Sequence, residues 1–427
     1  MTMNTPTRGK RFMIRTQFRS APQVGLILLL SMSTLLTGCA STTERVEDVG
    51  DRLYSFWPQF PAEPHVQFLV AYRYSSDIEE KRSSFDNLIY GKDSGVLPIN
   101  KPYGVEMYKG KIYVCDIRNP GLVVLDLVKR QTRIMTTRGL GGMSQPTDIA
   151  ISPDGMKYVA DAVRGLIFVF DNNERHVKSF GHEGFKPVGI AVHGDDLYVC
   201  DFGTQSVLVM NRFDGSIVRT IGGPGGEDGY FIRPLGIDVD DNGYVYVSDV
   251  IKCRLQRFDP EGNLVKAVGQ IGDTAGSFVR PKHLSVDDDG KVYVTDAAFD
   301  NVQMFNDEGR VLMFFGASGS HPGAMNLPAG ICTNKEDIEL FREYIHPAFE
   351  VERLVIVTNQ FGRNKIGVYA VGQLKEGKTV DDIATNLSDM QSGVQNENEG
   401  NTLADELPAE QVPSENDGES PVEPNSP

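Results

Sequence analysis

A unit of 41 to 47 residues recurs along the chain, and this repeat constrains the fold more than any other feature. The unit headed by Pro234 reads R-P-L-G-I-D-V-D-D-N-G-Y-V-Y-V-S-D, and the unit headed by Pro281 reads R-P-K-H-L-S-V-D-D-D-G-K-V-Y-V-T-D. Four further copies align with these two, headed by Pro102, Pro146, Pro187 and Pro328. A fixed period in this range, with short alternating runs and Gly-rich turns, indicates an array of small antiparallel sheets.

Each unit contains four strand-like runs. In the unit headed by Pro234 they span 236–239, 244–248, 254–258 and 264–268, and Asn-Gly or Asp-Gly pairs supply turns between runs. Alternating β-branched and aromatic residues suit half-buried strands. Four strands make one blade, so the sequence predicts an all-β, six-bladed β-propeller.

The last unit is one strand short, and this predicts how the ring closes. The run H-V-Q-F-L-V-A-Y at 65–72 precedes the first unit, and we expect it to supply the missing strand, because ring closure removes exposed sheet edges. Ile338, Phe341 and Ile345 recur at helical spacing and predict a short helical insertion in the last blade. The propeller is therefore predicted to span 65–375.

The stretch from Asp238 to Asp249 has the spacing of an EF-hand calcium loop, with oxygen-bearing side chains at positions 1, 3, 5 and 12 and Gly243 at position 6. The alternative is a tight turn between two strands. A Gly lies six residues before an Asp in four of the units, and an extended strand would hold position 12 far from the turn. We therefore predict a structural hairpin.

Residues 1–38 resemble a bacterial lipoprotein signal peptide. Basic residues precede an apolar run at 24–36, which is followed by L-T-G-C, a match to the lipobox in which the Cys is acylated. Cys39 is therefore the predicted lipid anchor, and residues 39–64 are predicted to be a tether. Ala40, where an Asp would resemble an inner-membrane retention signal, favours the outer membrane of the bacterial cell envelope.

Residues 376–427 are predicted to be an acidic, disordered tail. From position 379 onward there are 12 acidic residues and no Lys or Arg. The tail is either a solvated bristle or a screen for a basic surface, and deletion after Lys378 is expected to leave thermal stability almost unchanged. The formal charge of the whole chain, -16, argues against a nucleic-acid partner.

The pattern P-x-G…D-x-x-G-x-V-Y-V-x-D…V-x-x-F…G resembles NHL repeats over residues 65–375. The resemblance implies a six-bladed propeller and no single activity, because function lies in sites built on the scaffold. Some members of that family bind proteins or RNA. One branch, the peptidylglycine amidating lyases, is enzymatic.

In the lyase branch, His residues next to the heading Pro bind zinc. None of the corresponding residues here is His: Tyr103, Thr147, Val188, Leu235, Lys282 and Ala329. Q-P-T-D-I-A resembles a lyase segment that contains Asp148, and His283 lies two residues after Pro281, but these two are too few ligands for zinc. We therefore predict no metal and no cofactor, with Asp148 and His283 at the channel mouth as the alternative, enzymatic site.

No nucleophile elbow, CxxC pair or phosphate-binding glycine loop is present in the sequence. Beyond Cys39, four Cys remain, at 115, 200, 253 and 332. Matching positions two blades apart are too distant for a disulfide, so we expect small buried thiols.

In a propeller, the loops before the inner strands and those after the second strands open on one face, here called the loop face. Ten basic residues are predicted to lie there: Lys101, Arg118, Arg164, Lys186, Arg233, Lys252, Arg254, Arg280, Arg363 and Lys365. They could bind an anionic partner, or the Arg before each Pro could pair with the Asp of a neighbouring blade.

The combined prediction is a lipid-anchored, non-catalytic binding or scaffold module for an envelope protein complex. The alternative is a channel-mouth enzyme, a lyase or hydrolase with a possible metal requirement. The sequence leaves open whether a small-molecule ligand exists.

Overall fold

The structure is a computed structural model that describes residues 54–79, 96–119, 121–137 and 142–383. These residues all belong to one unit, Gly50–Pro427. The predicted signal peptide, the anchor Cys39 and most of the predicted acidic tail lie outside the described residues. No helix in the described part of the chain is long and apolar enough to cross a membrane.

Six antiparallel sheets form the blades. Blade one contains β3 (Pro102–Tyr108), β4 (Lys111–Asp116), β5 (Leu122–Asp126) and β6 (Gln131–Met135). Blade two contains β7 (Pro146–Ile151), β8 (Lys157–Asp161), β9 (Leu166–Phe170) and β10 (His176–Phe180). Blade three contains β11 (Pro187–His193), β12 (Asp196–Asp201), β13 (Ser206–Asn211) and β14 (Ile217–Ile221). Blade four contains β15 (Pro234–Val239), β16 (Val245–Asp249), β17 (Arg254–Phe258) and β18 (Leu264–Val268). Blade five contains β19 (Pro281–Val286), β20 (Val292–Asp296), β21 (Asn301–Phe305) and β22 (Val311–Phe315).

Blade six joins the two ends of the propeller. It contains β23 (Pro328–Asn334), β24 (Phe349–Asn359) and β25 (Ile366–Leu374), then β2 (Val66–Tyr72) and β1 (Ser55–Trp57). Strand β2 is antiparallel to β25, as predicted for closure by an N-terminal strand. A 3-10 helix, Ile338–Tyr344, lies between β23 and β24, and a second, Ser75–Asp77, follows β2. The predicted all-β six-bladed fold is confirmed.

Strand β1 lies inside the segment that the sequence analysis assigned to the tether. It pairs with β2, with Ser55 opposite Phe68 and Trp57 opposite Val66. Phe56 between them is 5% exposed, and its ring lies 5.8 Å from that of Phe60. Ordered contacts of the propeller therefore begin before residue 65, because apolar side chains in this segment are buried on the last blade.

Side chains of the second strands alternate between the two faces of the blade, and each face packs against a different neighbouring blade. In β16, Val245 and Val247 pack with the core of blade three, whereas Tyr246 between them packs with Leu284 and Val292 of blade five. Successive side chains of a strand point to opposite faces of the sheet, so the V-Y-V sequence gives one face to each neighbour. The repeated motif thereby forms the core between blades.

An Asp ends the second strand in five of the six blades and fixes the loop face there; in blade six the strand ends at Asn359. The carboxylate of Asp249 accepts N–H bonds from Ile232 and Arg233 before the inner strand and from Ile251 and Lys252 after its own strand. The same arrangement is found at four other positions, Asp116, Asp161, Asp201 and Asp296.

The turn of the same hairpin lies at the opposite end of the strand. Asp240 accepts N–H bonds from Asn242 and Tyr244, and Gly243 has φ +82°. Asp249 therefore binds the N–H groups of the loops, a strand's length from the turn. The predicted structural hairpin is confirmed.

The four Cys beyond Cys39 are free and buried, as predicted. At the other end of the domain, β25 runs from the loop face to the opposite face, where Leu374 pairs with Phe349. The described chain continues to Ile383, which is fully buried in the same apolar cluster as Phe341 and Phe349.

Candidate functional site

A cavity of about 760 Å³ opens in the loop face at the centre of the ring. All six blades contribute to it, through the first residues of the inner strands and the residues after the second strands. Its apolar lining includes Val188, Phe202, Leu235, Val250 and Ala298. A concave, mostly apolar cavity with a few polar side chains is the usual form of a ligand site.

Four cationic side chains line this cavity, and no Asp or Glu is among its described lining residues: the cations are Lys101, Arg233, Arg280 and Lys282. We call this set the cationic cluster. None of the four forms an ion pair with a carboxylate in the part of the chain that the structure describes. Cations held together without counter-charge repel one another, so an anion in the cavity would stabilise them.

The alternative in which the Arg before each Pro pairs with the Asp of a neighbouring blade is wrong for Arg233 and Arg280, since neither forms an ion pair with any carboxylate of the described residues. In their own blades, Asp249 and Asp296 accept the backbone N–H groups of these two Arg. The Arg233 guanidinium instead lies 4.8 Å from the ring centroid of Phe202. Both guanidinium groups therefore remain available to a ligand in the cavity.

Lys282 is the most buried member of the cationic cluster, at 6% exposure. Its Nζ lies 5.3 Å from the ring centroid of Tyr103. Burial, together with the charges of Arg280 and Lys101, lowers the pKa of Lys282 to about 8. Burial and the nearby Asp148 raise the pKa of Tyr103 to about 12.

The sequence analysis did not select Lys282 as a site residue, although it noted the residue as the one after a heading Pro. The signal that could have found it is its position. Inner strands line a propeller's channel, so a Lys at the start of one faces other inner strands rather than solvent.

Asp148 and His283, predicted at the channel mouth, meet beside the cavity. Asp148 Oδ2 lies 3.7 Å from His283 Nδ1 and accepts the N–H of Ile190 at 2.9 Å. Both side chains are buried, and the His283 ring packs edge-on against Tyr103, with centroids 5.5 Å apart. The pair joins blade two to blade five, on opposite sides of the ring.

Burial shifts both members of this pair toward their neutral forms. It raises the pKa of Asp148 to about 8, and it lowers the pKa of His283 to about 3, with a smaller contribution from the charge of Lys282. His283 Nε2 is buried and has no hydrogen-bond partner among the residues that the structure describes. A neutral acid beside a neutral imidazole can exchange a proton with it. The two side chains together offer only two metal ligands.

One acidic cluster in the described residues has the spacing of a metal site, at Asp287, Asp288 and Asp289. Arg353 already occupies it, with Nε 3.0 Å from Asp287 and Nη1 2.6 Å from Asp288. Lys335 also pairs with Asp288. These cations neutralise the three carboxylates, and the Arg353 guanidinium occupies the position of a metal ion.

The other predicted loop-face residues fall into two groups. Lys252 and Lys365 donate to backbone carbonyls, and Arg254 pairs with Asp228, so these three are used within the loops. The remaining four are exposed in the loops before the inner strands or after the second strands: Arg118, Arg164, Lys186 and Arg363. The loop face therefore has a cationic centre and a basic rim.

No family model matches this chain, so the NHL-repeat resemblance stays a prediction. Among solved structures, it is similar to a streptogramin B lyase at 13% identity, with a TM-score of 0.47, over 65% of this chain and 85% of the lyase. It is also similar to virginiamycin B lyase from Staphylococcus aureus at 12% identity and TM-score 0.45, over 64% of this chain and 95% of that one. Kuenenia stuttgartiensis hydrazine synthase matches at 13% identity and TM-score 0.42, over 63% and 95%. Similarity at this level does not indicate a shared activity.

Proposed function

We propose that this protein is a lipid-anchored β-propeller of the bacterial cell envelope that acts as a non-catalytic binding module for an envelope protein complex. In this proposal Cys39 carries the lipid and attaches the protein to the outer membrane. The loop face receives an anionic segment of the partner protein.

The observation that carries the proposal is the cationic cluster. Four cations line one cavity, no described acid lies among the lining residues, and Asp249 and Asp296 accept the backbone N–H groups of Arg233 and Arg280 rather than their guanidinium groups. The whole chain has a formal charge of -16, so this concentration of positive charge stands out against its surroundings. Carboxylates of a partner would form charge-assisted hydrogen bonds with the two guanidinium groups.

A second candidate, a channel-mouth enzyme, is supported by one observation. Asp148 and His283 lie 3.7 Å apart beside the cavity, with pKa values shifted in opposite directions. Shifted pKa values in a cleft are found at catalytic sites, and they are also found in buried structural pairs. Asp148 also accepts the backbone N–H of Ile190 in blade three, which fits a structural role.

The binding proposal is tested by capture from detergent-solubilised membranes. The full-length protein and a double variant, Arg233→Gln with Arg280→Gln, are used as baits, and Arg310→Gln serves as control because Arg310 is an exposed residue of an outer turn. We expect one envelope protein to be captured by the wild type and the control at low salt and lost with the double variant. Equal capture by all three baits would contradict the proposal.

The anchor is tested separately by replacing Cys39 with Ser. We expect the variant to leave the membrane fraction and to lack the mass of the lipid, because the attached acyl chains supply the membrane affinity. Unchanged sedimentation with the membranes would contradict the anchor.

A further inference from the structure

Two lysines in the described part of the propeller are almost fully buried, and they differ in what surrounds the amine. Lys157 is 1% exposed, and its Nζ donates to the carbonyl of Gly155 at 2.9 Å. Lys282 is 6% exposed, lines the loop-face cavity and has no hydrogen-bond acceptor or carboxylate partner among the described residues. A buried ammonium is costly unless it is paired, so the environment of Lys282 favours the uncharged amine.

The neighbours of Lys282 strengthen this preference. Arg280 and Lys101 line the same cavity and repel a third positive charge, and with burial they bring the pKa of Lys282 to about 8. An exposed Lys has a pKa of about 10.4, so at neutral pH the free-amine fraction of Lys282 is roughly two-hundred-fold larger. Desolvation in an apolar cavity beside other cations is a recognised way to make a lysine nucleophilic.

The same cavity can position an electrophile. Arg233, Arg280 and Lys101 provide donors for a carboxylate, and the apolar residues Val188 and Leu235 lie beside them. A small molecule whose carboxylate binds these cations would present its remaining atoms to the other lining groups, among which is Lys282. A carbonyl group in that position would meet a free amine.

We propose that Lys282 binds small carboxylate-bearing aldehydes and ketones covalently, by forming an imine between its Nζ and their carbonyl carbon. The amine adds to the carbonyl carbon and gives a carbinolamine. A proton from solvent in the open cavity converts the hydroxyl group of the carbinolamine to water, which leaves as the nitrogen lone pair forms the C=N bond. The resulting protonated imine returns a proton to solvent to give the neutral imine. No oxidant or reductant is consumed, and water reverses the reaction.

This inference shares the cationic cluster with the proposed function but goes beyond it. Reversible covalent capture of a small molecule is compatible with a non-catalytic module and does not require turnover. The two ideas have separate readouts, because one is a covalent adduct on the isolated protein and the other is retention of a partner protein.

The test uses the purified full-length protein, glyoxylate as the probe and cyanoborohydride as the trap. Hydride reduces the imine to a secondary amine, which leaves a carboxymethyl group on the lysine. We expect peptide mass spectrometry at limiting glyoxylate to find the adduct at Lys282 at least about ten-fold more often than at Lys186, an exposed loop-face lysine. An adduct spread over exposed lysines without enrichment at Lys282 would overturn the proposal.

Two variants separate the amine from the charge. Lys282→Arg keeps the positive charge but cannot form an imine, and we expect it to lose the adduct. Lys186→Arg is the matched control and should keep the adduct at Lys282. The double variant Arg233→Gln with Arg280→Gln should lose more of its labelling by glyoxylate than of its labelling by acetaldehyde. Removing Arg280 raises the pKa of Lys282 and weakens both reactions, but only glyoxylate also loses the donors to its carboxylate.

Each remaining outcome has a definite meaning. Equal labelling of the wild type and Lys282→Arg would overturn the imine proposal without affecting the binding module. A strong Lys282 adduct together with unchanged partner capture by the double variant would support the imine and contradict the proposed function. Equal labelling by glyoxylate in the double variant would overturn the assignment of carboxylate-bearing ligands.

Discussion

Single carboxylates at the ends of the second strands hold the loop face together. Asp249 accepts N–H bonds from residues in two different loops, and one carboxylate thereby orients the residues that flank the cavity. Since Arg233 and Ile251 are both cavity residues, the site depends on this Asp although it does not line the cavity.

We predict that Asp249→Ala lowers the free energy of unfolding by about 3 kcal/mol, because four N–H groups lose a charged acceptor and the individual losses are not additive. Asp241→Ala is the control, since Asp241 is exposed in the adjacent turn. Urea unfolding measures both. A loss of less than about 1 kcal/mol for Asp249→Ala, within the range of surface substitutions, would contradict the role assigned to it.

Three acids of the inner strands predict how stability depends on pH. Burial raises the pKa of Asp148 to about 8 and that of Asp238 to about 6, and it raises the pKa of Glu106 as well. The folded protein therefore holds protons that the unfolded chain releases near pH 4, so these groups lower stability as pH rises from 4 to 8.

We predict that Asp148→Asn removes part of this dependence. Free energies of unfolding measured from pH 5 to pH 8 should fall less steeply for the variant than for the wild type, because the Asn carries no ionisable proton. Parallel profiles for the two proteins would show that the carboxyl of Asp148 is not held neutral.

At the scale of elements, ring closure depends on a segment that comes before the first repeat. Strand β2 was predicted from its position, because the last blade lacked a fourth strand and the run at 65–72 had no blade of its own. Strand β1 was not predicted, since three residues before a proline carry too little pattern. Its burial arises from contacts with the distant Phe349.

We predict that Phe56→Ala lowers the free energy of unfolding by about 3 kcal/mol, because it leaves a cavity among Phe60 and Phe349. Val265→Ala on the outer strand β18 is the control, since Val265 is 50% exposed. Urea unfolding of the two variants gives the comparison. Equal stability of Phe56→Ala and the wild type would contradict the inclusion of β1 in the folded propeller.

The C-terminal boundary also differs from the expectation that deletion after Lys378 leaves stability unchanged. Ile383 is fully buried in the apolar cluster with Phe341, and a cut after Lys378 removes it. We predict a loss of about 1.5–3 kcal/mol for that truncation and none for a truncation after Ile383. Thermal or urea unfolding that gives equal stabilities for the two truncations would restore the earlier boundary.

The structure also weakens the hypothesis that the acidic tail screens the basic loop face. The described chain leaves β25 at the end opposite the loop face, where Leu374 pairs with Phe349. Carboxylates beyond Ile383 would have to span the height of a blade before they reached the cationic cluster, so their effective concentration there is lower than at the end from which they start.

At the scale of the whole molecule, the period of the repeat was sufficient to predict six blades, because every unit carries the same strand and turn pattern. The cavity was only partly predictable. The rule that loops before inner strands and after second strands share a face placed Lys101, Arg233 and Arg280 together, but it did not distinguish them from Arg254, which pairs with Asp228. Such pairing depends on loop conformation, which the repeat pattern does not encode.

The role of Lys282 could not be predicted for a related reason. Burial and the repulsion by Lys101 depend on side chains from blades far apart in sequence, and they meet only when the ring closes. Asp148 and His283 are similar, although their residue types drew attention to them. In a propeller, local pattern predicts the blades, whereas the contents of the channel follow from all six together.

The central claim, that the cationic cluster binds an anionic segment, is tested most directly by the equilibrium affinity of an oligoglutamate peptide. Titration calorimetry at low and at physiological salt would compare the wild type, Arg233→Gln with Arg280→Gln, and the rim control Arg118→Gln with Arg363→Gln. We predict that the wild type binds the peptide, that the cavity variant binds at least about ten-fold more weakly, that the rim control loses less, and that all differences shrink as salt rises. Equal affinity of the wild type and the cavity variant at low salt would contradict the account.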